Sequence, residues 1–160
     1  MLIAILSDTH DDMPRLVRAM AMIDTLQPQA IIHCGDLCSP DMLAPLANRN
    51  AYFVFGNNDF AHDELRAEAK RLNITCLDHC GQLTLAGKTI IVMHGHDHRA
   101  RDRVLMANVD YLFSGHTHLQ HDSRQRSTRM INPGALFRAR EKTFATVDLV
   151  KDTVTVHIVA

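Results

Sequence analysis

The sequence predicts an α/β fold of two packed sheets flanked by helices, and three observations predict it. Short apolar runs end abruptly in polar residues, as strands buried on both faces do. In the first half these runs alternate with segments of helical spacing, a βαβαβ order that calls for a parallel sheet. In the second half short strands crowd together, so a second, more strand-rich sheet is expected to pack on the first.

The opening run, Met1–Leu6, is too short to span a membrane and lacks the charged front of a signal peptide. Asp8 and His10 follow it, two residues apart. In extended chain such positions point to the same side. A carboxylate and an imidazole are therefore expected together at the strand's C-terminal edge, where open α/β sheets place their chemistry. Asp11-Asp12 read as helix caps and Pro14 falls in the first turn, where its missing N–H costs nothing. Leu16, Val17, Met20 and Ile23 then recur at helical spacing to about Leu26, and Pro28 stops the helix. Ala30–Cys34 reads as the second buried strand, ending in Gly35-Asp36. A short helix over Asp41–Ala47 leads to a third strand, Ala51–Phe55, which ends in Gly56-Asn57-Asn58-Asp59. Phe60–Leu72 reads as a charged amphipathic helix.

From Asn73 the rhythm changes. Thr75–Leu77, Gln82–Leu85 and Lys88–Met93 read as short strands, with Ala86-Gly87 as a hairpin turn. The last of them runs into His94-Gly95-His96. A helix over Ala100–Ala107 and a strand over Val109–Phe113 lead to Gly115-His116-Thr117-His118, which repeats the two-residue spacing of Asp8 and His10. Arg129–Ile131, the turn Asn132-Pro133-Gly134, and a terminal hairpin of Thr143–Leu149 with Thr153–Val159 complete the chain.

A chain of 160 residues can bury most of its apolar surface, and one domain over 1–160 is expected. The net charge of −1, without blocks of like charge, lacks the basic footprint of a nucleic-acid binder. No transmembrane or targeting segment is visible, so a cytoplasmic setting is expected. The four cysteines form two pairs, Cys34/Cys38 and Cys76/Cys80, spaced too widely for the usual structural zinc motif, and are read as buried, reduced thiols. Histidine is the unusual count: six of the eleven fall between His94 and His121.

Five strand ends thus carry polar residues: Asp8 with His10, Asp36, Asn57, His94, and His116 with His118. Each has a plain alternative on its own, since Asp8 can cap a helix and Gly35-Asp36 or Asn57-Asn58 can be turns. Together they offer only oxygen and nitrogen donors, more than one tetrahedral metal needs and suited to two metals sharing a carboxylate. Asp36 is the central candidate for that bridge, and His33 has no ligand role.

The ordered blocks Asp8-Thr9-His10, Gly35-Asp36, Gly56-Asn57-x-Asp59, His94-Gly95-His96 and Gly115-His116-Thr117-His118 resemble the calcineurin-like metallophosphoesterases. The short length and Asn132-Pro133-Gly134 are similar to the small bacterial and archaeal phosphodiesterase branch that includes the YfcE-type proteins. The resemblance implies a four-layer α/β/β/α sandwich of two mixed sheets. It implies one metal held by Asp8, His10, Asp36 and His118 and another by Asp36, Asn57, His94 and His116. It further implies that a bridging hydroxide attacks a small phosphodiester or phosphate ester. Thiolate-free ligation suits Mn²⁺, with Fe, Zn or Ni as alternatives. One departure stands out: the family's His, or the branch's Cys, after the ligand asparagine is here Asn58, which can donate a hydrogen bond but no proton. Asn58 is expected to face the phosphoryl group from the leaving-group side. His96, Asp59 and Asp97 are candidate donors or supporting groups. A phosphomonoesterase and a non-catalytic metal-binding scaffold are the rival readings, and self-association is left open.

Overall fold

Ile3 and Ile5 point one way from the first strand and Ala4 and Leu6 the other, and that alternation sets the layering. The computed structural model describes residues 1–160 except Asn108. Its elements in chain order are β1 (Leu2–Leu6), α1 (Met13–Leu26), β2 (Ala30–His33), β3 (Ala51–Phe53), α2 (His62–Arg71), β4 (Thr75–Cys76), β5 (Cys80–Leu85) and β6 (Lys88–Met93). They continue as α3 (His98–Met106), β7 (Tyr111–Phe113), β8 (Gln120–Gln125), β9 (Thr128–Pro133), β10 (Thr143–Asp148) and β11 (Thr153–Ile158).

Both sheets are mixed. The first runs β11-β10-β1-β2-β3-β4, with β1 to β4 parallel and β10 antiparallel to β1. The second runs β5-β6-β7-β9-β8, with β6, β7 and β9 parallel between antiparallel edges. Ile3, Ile5, Ile32, Val54, Ile90, Val92 and Phe113 fill the space between the sheets. Ala4, Leu6, Phe53 and Phe144 pack outward on Leu16, Met20, Ile23 and Leu65 of α1 and α2. On the far side Ile91, Met93 and Leu112 meet Leu105 of α3. These three apolar layers define an α/β/β/α sandwich. Burying each large side chain contributes ~1.5–3 kcal/mol, which is why the central strands carry apolar residues on both faces. Among the described residues, no helix is long and apolar enough to cross a membrane.

Several elements depart from expectation for identifiable reasons. The Asp41–Ala47 helix is a 3-10 helix over Pro40–Leu46, containing Pro45, which cannot donate a helical hydrogen bond. The third strand stops at Phe53: Val54 N–H still donates to the carbonyl of His33 at the end of β2, and Phe55 N–H then donates to the Asp78 carbonyl beyond β4. β8 was not expected at all. Its sequence, Gln-His-Asp-Ser-Arg-Gln, has no apolar alternation, and hairpin pairing with β9 makes it an edge strand. The cysteines are free, but only Cys34 is buried; Cys38 and Cys76 are half-buried and Cys80 is exposed.

Candidate metal centre

Because β1, β2, β3, β6 and β7 run parallel within their sheets, their C-terminal ends can deliver residues to one edge of the sandwich. The turns that follow do the aiming. Asp8 (φ 55°), His10 (φ 42°), Asp36 (φ 59°), His116 (φ 69°) and His118 (φ 58°) all have left-handed backbone. The expectation that Asp8 and His10 share a side by strand alternation is therefore corrected: a tight turn brings them together. Such conformations cost non-glycine residues energy and persist where surrounding bonds enforce them. Here the N–H groups of Asp8, Thr9 and His10 donate to the carbonyls of Gly35 and Asp36, each at 3.0 Å.

Two carboxylates lie among the imidazoles. Asp36 Oδ2 is 3.4 Å from His10 Nε2 and 3.3 Å from His94 Nε2. Asp8 Oδ1 is 3.3 Å from His118 Nε2 and 3.9 Å from the Nε2 atoms of His10 and His94. Two groups of ligand atoms, Asp8–His10–His118 and Asp8–Asp36–His94, each lie within 4.8 Å of one another. His116 joins from the side, its ring 5.1 Å from that of His94.

The hydrogen bonding tests whether these residues fit a cation. His94 Nδ1 faces the Cys34 carbonyl at 2.8 Å, which places its proton there. In the neutral ring Nε2 then points a lone pair at a carboxylate oxygen, which repels it unless a positive charge lies between. Asp8 Oδ1, His10 Nε2 and His94 Nε2 are buried and have no hydrogen-bond partner among the described residues. Three unspent donor atoms around two carboxylates fit a divalent cation. Without one, the same field draws a proton: burial opposes charge on His94, but Asp36 and Asp8 raise it above the ordinary imidazole range. Burial raises the Asp8 carboxyl. Burial also works against Asp36, yet charge on His94 and the donors of Asn58 outweigh it and hold Asp36 well below the usual carboxylate range.

The surrounding residues hold this arrangement. Asp59 is 1% exposed and accepts three backbone N–H groups: Asp36 at 2.8 Å, Gly56 at 2.7 Å and Cys38 at 2.7 Å. It braces the loops after β2 and β3 instead of acting as a donor open to substrate. A Cβ on Gly56 would fall on the Asp36 carboxylate, and one on Gly115 would fall on Ser7 Oγ and Asp8, so both loops require glycine. The His116 N–H donates to Asp8 Oδ2 at 3.0 Å. His33, fully buried, accepts from Gly35 N–H at its Nδ1 and meets Thr9 Oγ1 with its Nε2, both at 3.2 Å. Thr9 Oγ1 donates onward to the Asp36 carbonyl at 3.3 Å. Asn132 donates to the Gly115 carbonyl at 2.7 Å and to Thr117 Oγ1 at 3.1 Å, tying down the histidine loop. Sequence reasoning read Asn132 only as a turn residue; its position between a strand end and Pro-Gly was the available signal.

Other expected site residues lie differently. Asn57 is exposed, whereas Asn58 donates to Asp36 through both its backbone, at 2.8 Å to Oδ1, and its side chain, at 2.8 Å to Oδ2. Instead of facing open space on the leaving-group side, the Asn58 amide is taken up by the central carboxylate. His96 is exposed, 5.5 Å ring to ring from His94. Asp97 caps α3 by accepting from Ala100 N–H at 2.9 Å. Cys38 Sγ sits 3.5 Å from His10 Nδ1, and burial, then nearby carboxylates, push its thiol up to about 12.

Comparison with known proteins shows the family. Phosphodiesterase MJ0936 of Methanocaldococcus jannaschii is 28% identical over 138 residues, covering 84% of this chain and 83% of its own. The solved structure of an archaeal phosphodiesterase superposes with a TM-score of 0.92 at 25% identity, over 99% of both chains. That of YfcE, a phosphoesterase from E. coli, shares the fold with a TM-score of 0.72 at 16% identity over the full length of both. Residues 1–152 match the model of the calcineurin-like phosphoesterase superfamily domain, and the chain belongs to that family.

Proposed function

We propose that the protein is a metal-dependent phosphodiesterase acting on small phosphodiesters, with two divalent ions, Mn²⁺ foremost, at the strand-end site. Asp8, His10, Asp36 and His118 would hold one ion and Asp36, Asn57, His94 and His116 the other, with Asp36 shared. The observation that carries this reading is the set of unspent buried atoms, Asp8 Oδ1, His10 Nε2 and His94 Nε2. Bound divalent ions supply Lewis acidity, acidifying water and neutralising charge on the phosphoryl group. The chain supplies the rest. Asp59, His33 and Asn132 hold the loops rigid, and the Cys34 carbonyl fixes the His94 tautomer so that Nε2 is free to ligate. With only two carboxylates, Asp8 and Asp36, among otherwise neutral donors, the site would stay net positive when loaded with two divalent ions, which suits an anionic ester. His96, exposed beside the histidines, is the side chain free to reach a bound phosphate.

The test is metal analysis of protein purified without chelator, followed by bis(4-nitrophenyl) phosphate and 4-nitrophenyl phosphate as substrates. Bound metal, and diester hydrolysis lost with chelator and restored by Mn²⁺, are expected. Full activity in metal-free protein would overturn the reading. Preference for the monoester would make it a phosphomonoesterase, and bound metal with no turnover of either ester would make it a scaffold.

A further inference from the structure

The chain between β9 and β10 is tied to the metal centre and carries unspent positive charge. Leu136 N–H donates to the carbonyl of Ser7, the residue before Asp8, at 3.2 Å. Thr143 N–H donates back to the Ala135 carbonyl at 3.1 Å, closing the segment into a loop. The half-buried Phe137 ring lies 5.3 Å from the ring of His10, centroid to centroid. The Arg138 guanidinium lies over that same Phe137 ring, 5.1 Å from its centroid. Two ring contacts therefore separate a proposed ligand from an exposed cation.

Arg140 follows on the same loop. It lines an open hollow of about 540 Å³ together with His118, Gln120 and Glu141. His118 is itself a proposed ligand, its Nε2 3.3 Å from Asp8 Oδ1, so the hollow opens directly from the metal centre. A diester centred on the histidines can lay one substituent into it without crossing the fold.

The charges say what that substituent carries. Arg49, Arg66, Arg71 and Arg129 are each spent on carboxylates. Among the described residues, Arg138 and Arg140 make no ion pair and no hydrogen bond. The cation–π contact with Phe137 holds Arg138 in place while leaving its N–H groups unused. Glu141 is the one carboxylate in the lining, so the two guanidiniums leave the flank net positive. A guanidinium presents a planar fork of donors that matches a carboxylate or a phosphate in pairs. With His118, Gln120, Arg140 and Glu141 around it, the hollow suits a charged group better than an apolar one.

We infer that this flank is an anion subsite, where Arg138 and Arg140 bind a carboxylate or phosphate carried by the ester substituent on the His118 side. The inference rests on the phosphodiesterase reading and narrows it to diesters with a second anionic group. The experiment uses three 4-nitrophenyl phosphodiesters whose other substituent is 2-carboxyethyl, 2-phosphonooxyethyl or the neutral 2-carbamoylethyl. All three release the same phenolate, and the first and last have nearly the same shape. With Mn²⁺ added, wild-type protein should show a KM about fivefold lower for a charged ester than for the neutral one, the upper range for an exposed ion pair. Added salt should shrink that advantage. A gain with both charged esters marks a general anion subsite, and a gain with 2-phosphonooxyethyl alone marks a phosphate subsite. The advantage should fall in Arg140→Gln, vanish in the double variant Arg138→Gln/Arg140→Gln, and rise in Glu141→Gln. Because it is a ratio within each variant, a general loss of turnover does not imitate it. Equal KM values in the wild type, or an advantage that survives in the double variant because the metals take the anion, would overturn the inference. Hydrolysis of none of the three would instead count against the phosphodiesterase reading. Calorimetric binding of the three corresponding phosphate monoesters to wild type and double variant would then decide the subsite by the same ratio.

Discussion

His33 ends β2 and His94 directly follows β6, and both are buried, yet they do opposite things. In His33 both nitrogens are used, one by Gly35 and one by Thr9. Burial, reinforced by charge on His94, lowers it to about 3, so it stays neutral and acts as part of the framework. In His94 one nitrogen serves the Cys34 carbonyl and the other faces Asp36 Oδ2 at 3.3 Å. Burial therefore does not distinguish a framework histidine from a proposed ligand. The unspent nitrogen does.

The comparison breaks most visibly on the ligand side. Asp36→Asn and His94→Ala should each remove bound metal and lower diester hydrolysis by at least about 100-fold, since even residues that only orient ligands cost 10–100-fold. Metal content and turnover measured together check this. Two metals per chain and normal turnover in Asp36→Asn would refute the shared-carboxylate assignment.

His33→Ala tests the framework side. Having no ligand role, His33 was expected to be dispensable for metal binding, but its bonds to Gly35 and Thr9 run to the loop that holds Asp36. Leaving those groups unpaired should cost about 1–3 kcal/mol of stability. Metal affinity should weaken as the loop loosens, and His33→Gln should recover part of both. Thermal denaturation and metal titration of both variants measure it, and a fully neutral His33→Ala would remove His33 from the framework.

The smallest effect is a slope. The unfolded chain protonates His33 near its ordinary value of 6.5 and the folded chain only near 3. Between those values the unfolded state holds the extra proton, so stability from this residue is present above pH 6.5 and is lost as pH falls toward 3. The loss is at most about 1.4 kcal/mol per pH unit. Metal-free His33→Gln should show a shallower acid limb in melting temperature than wild type; identical limbs would mean that His33 is not the buried neutral group described.

Strand ends were legible in the sequence because an apolar run meeting Asp, Asn or His marks the point where a buried strand reaches water. What the pattern could not report was geometry made by hydrogen bonds. β8 carries polar residues on both faces, and only its ladder to β9 makes it a strand. The convergence of Asp8 with His10 comes from left-handed turns, which residue spacing does not encode. From sequence Asp59 could be a donor to phosphate or a supporting group, and only the three backbone amides around it separate the two. The Asn58 amide was expected on the open side and instead lies on Asp36.

The bond from the His116 N–H to Asp8 Oδ2 joins positions 108 residues apart. On the ribosome, the Asp8–His10 turn emerges early and must wait for most of the chain before its imidazole partners exist. Contacts of such long separation slow folding, because the entropy of closing the loop is lost before the contact repays it. A nascent or truncated chain ending before His116 lacks both histidines of that loop and cannot complete either proposed ligand set, so tight capture of two ions would mark a finished molecule.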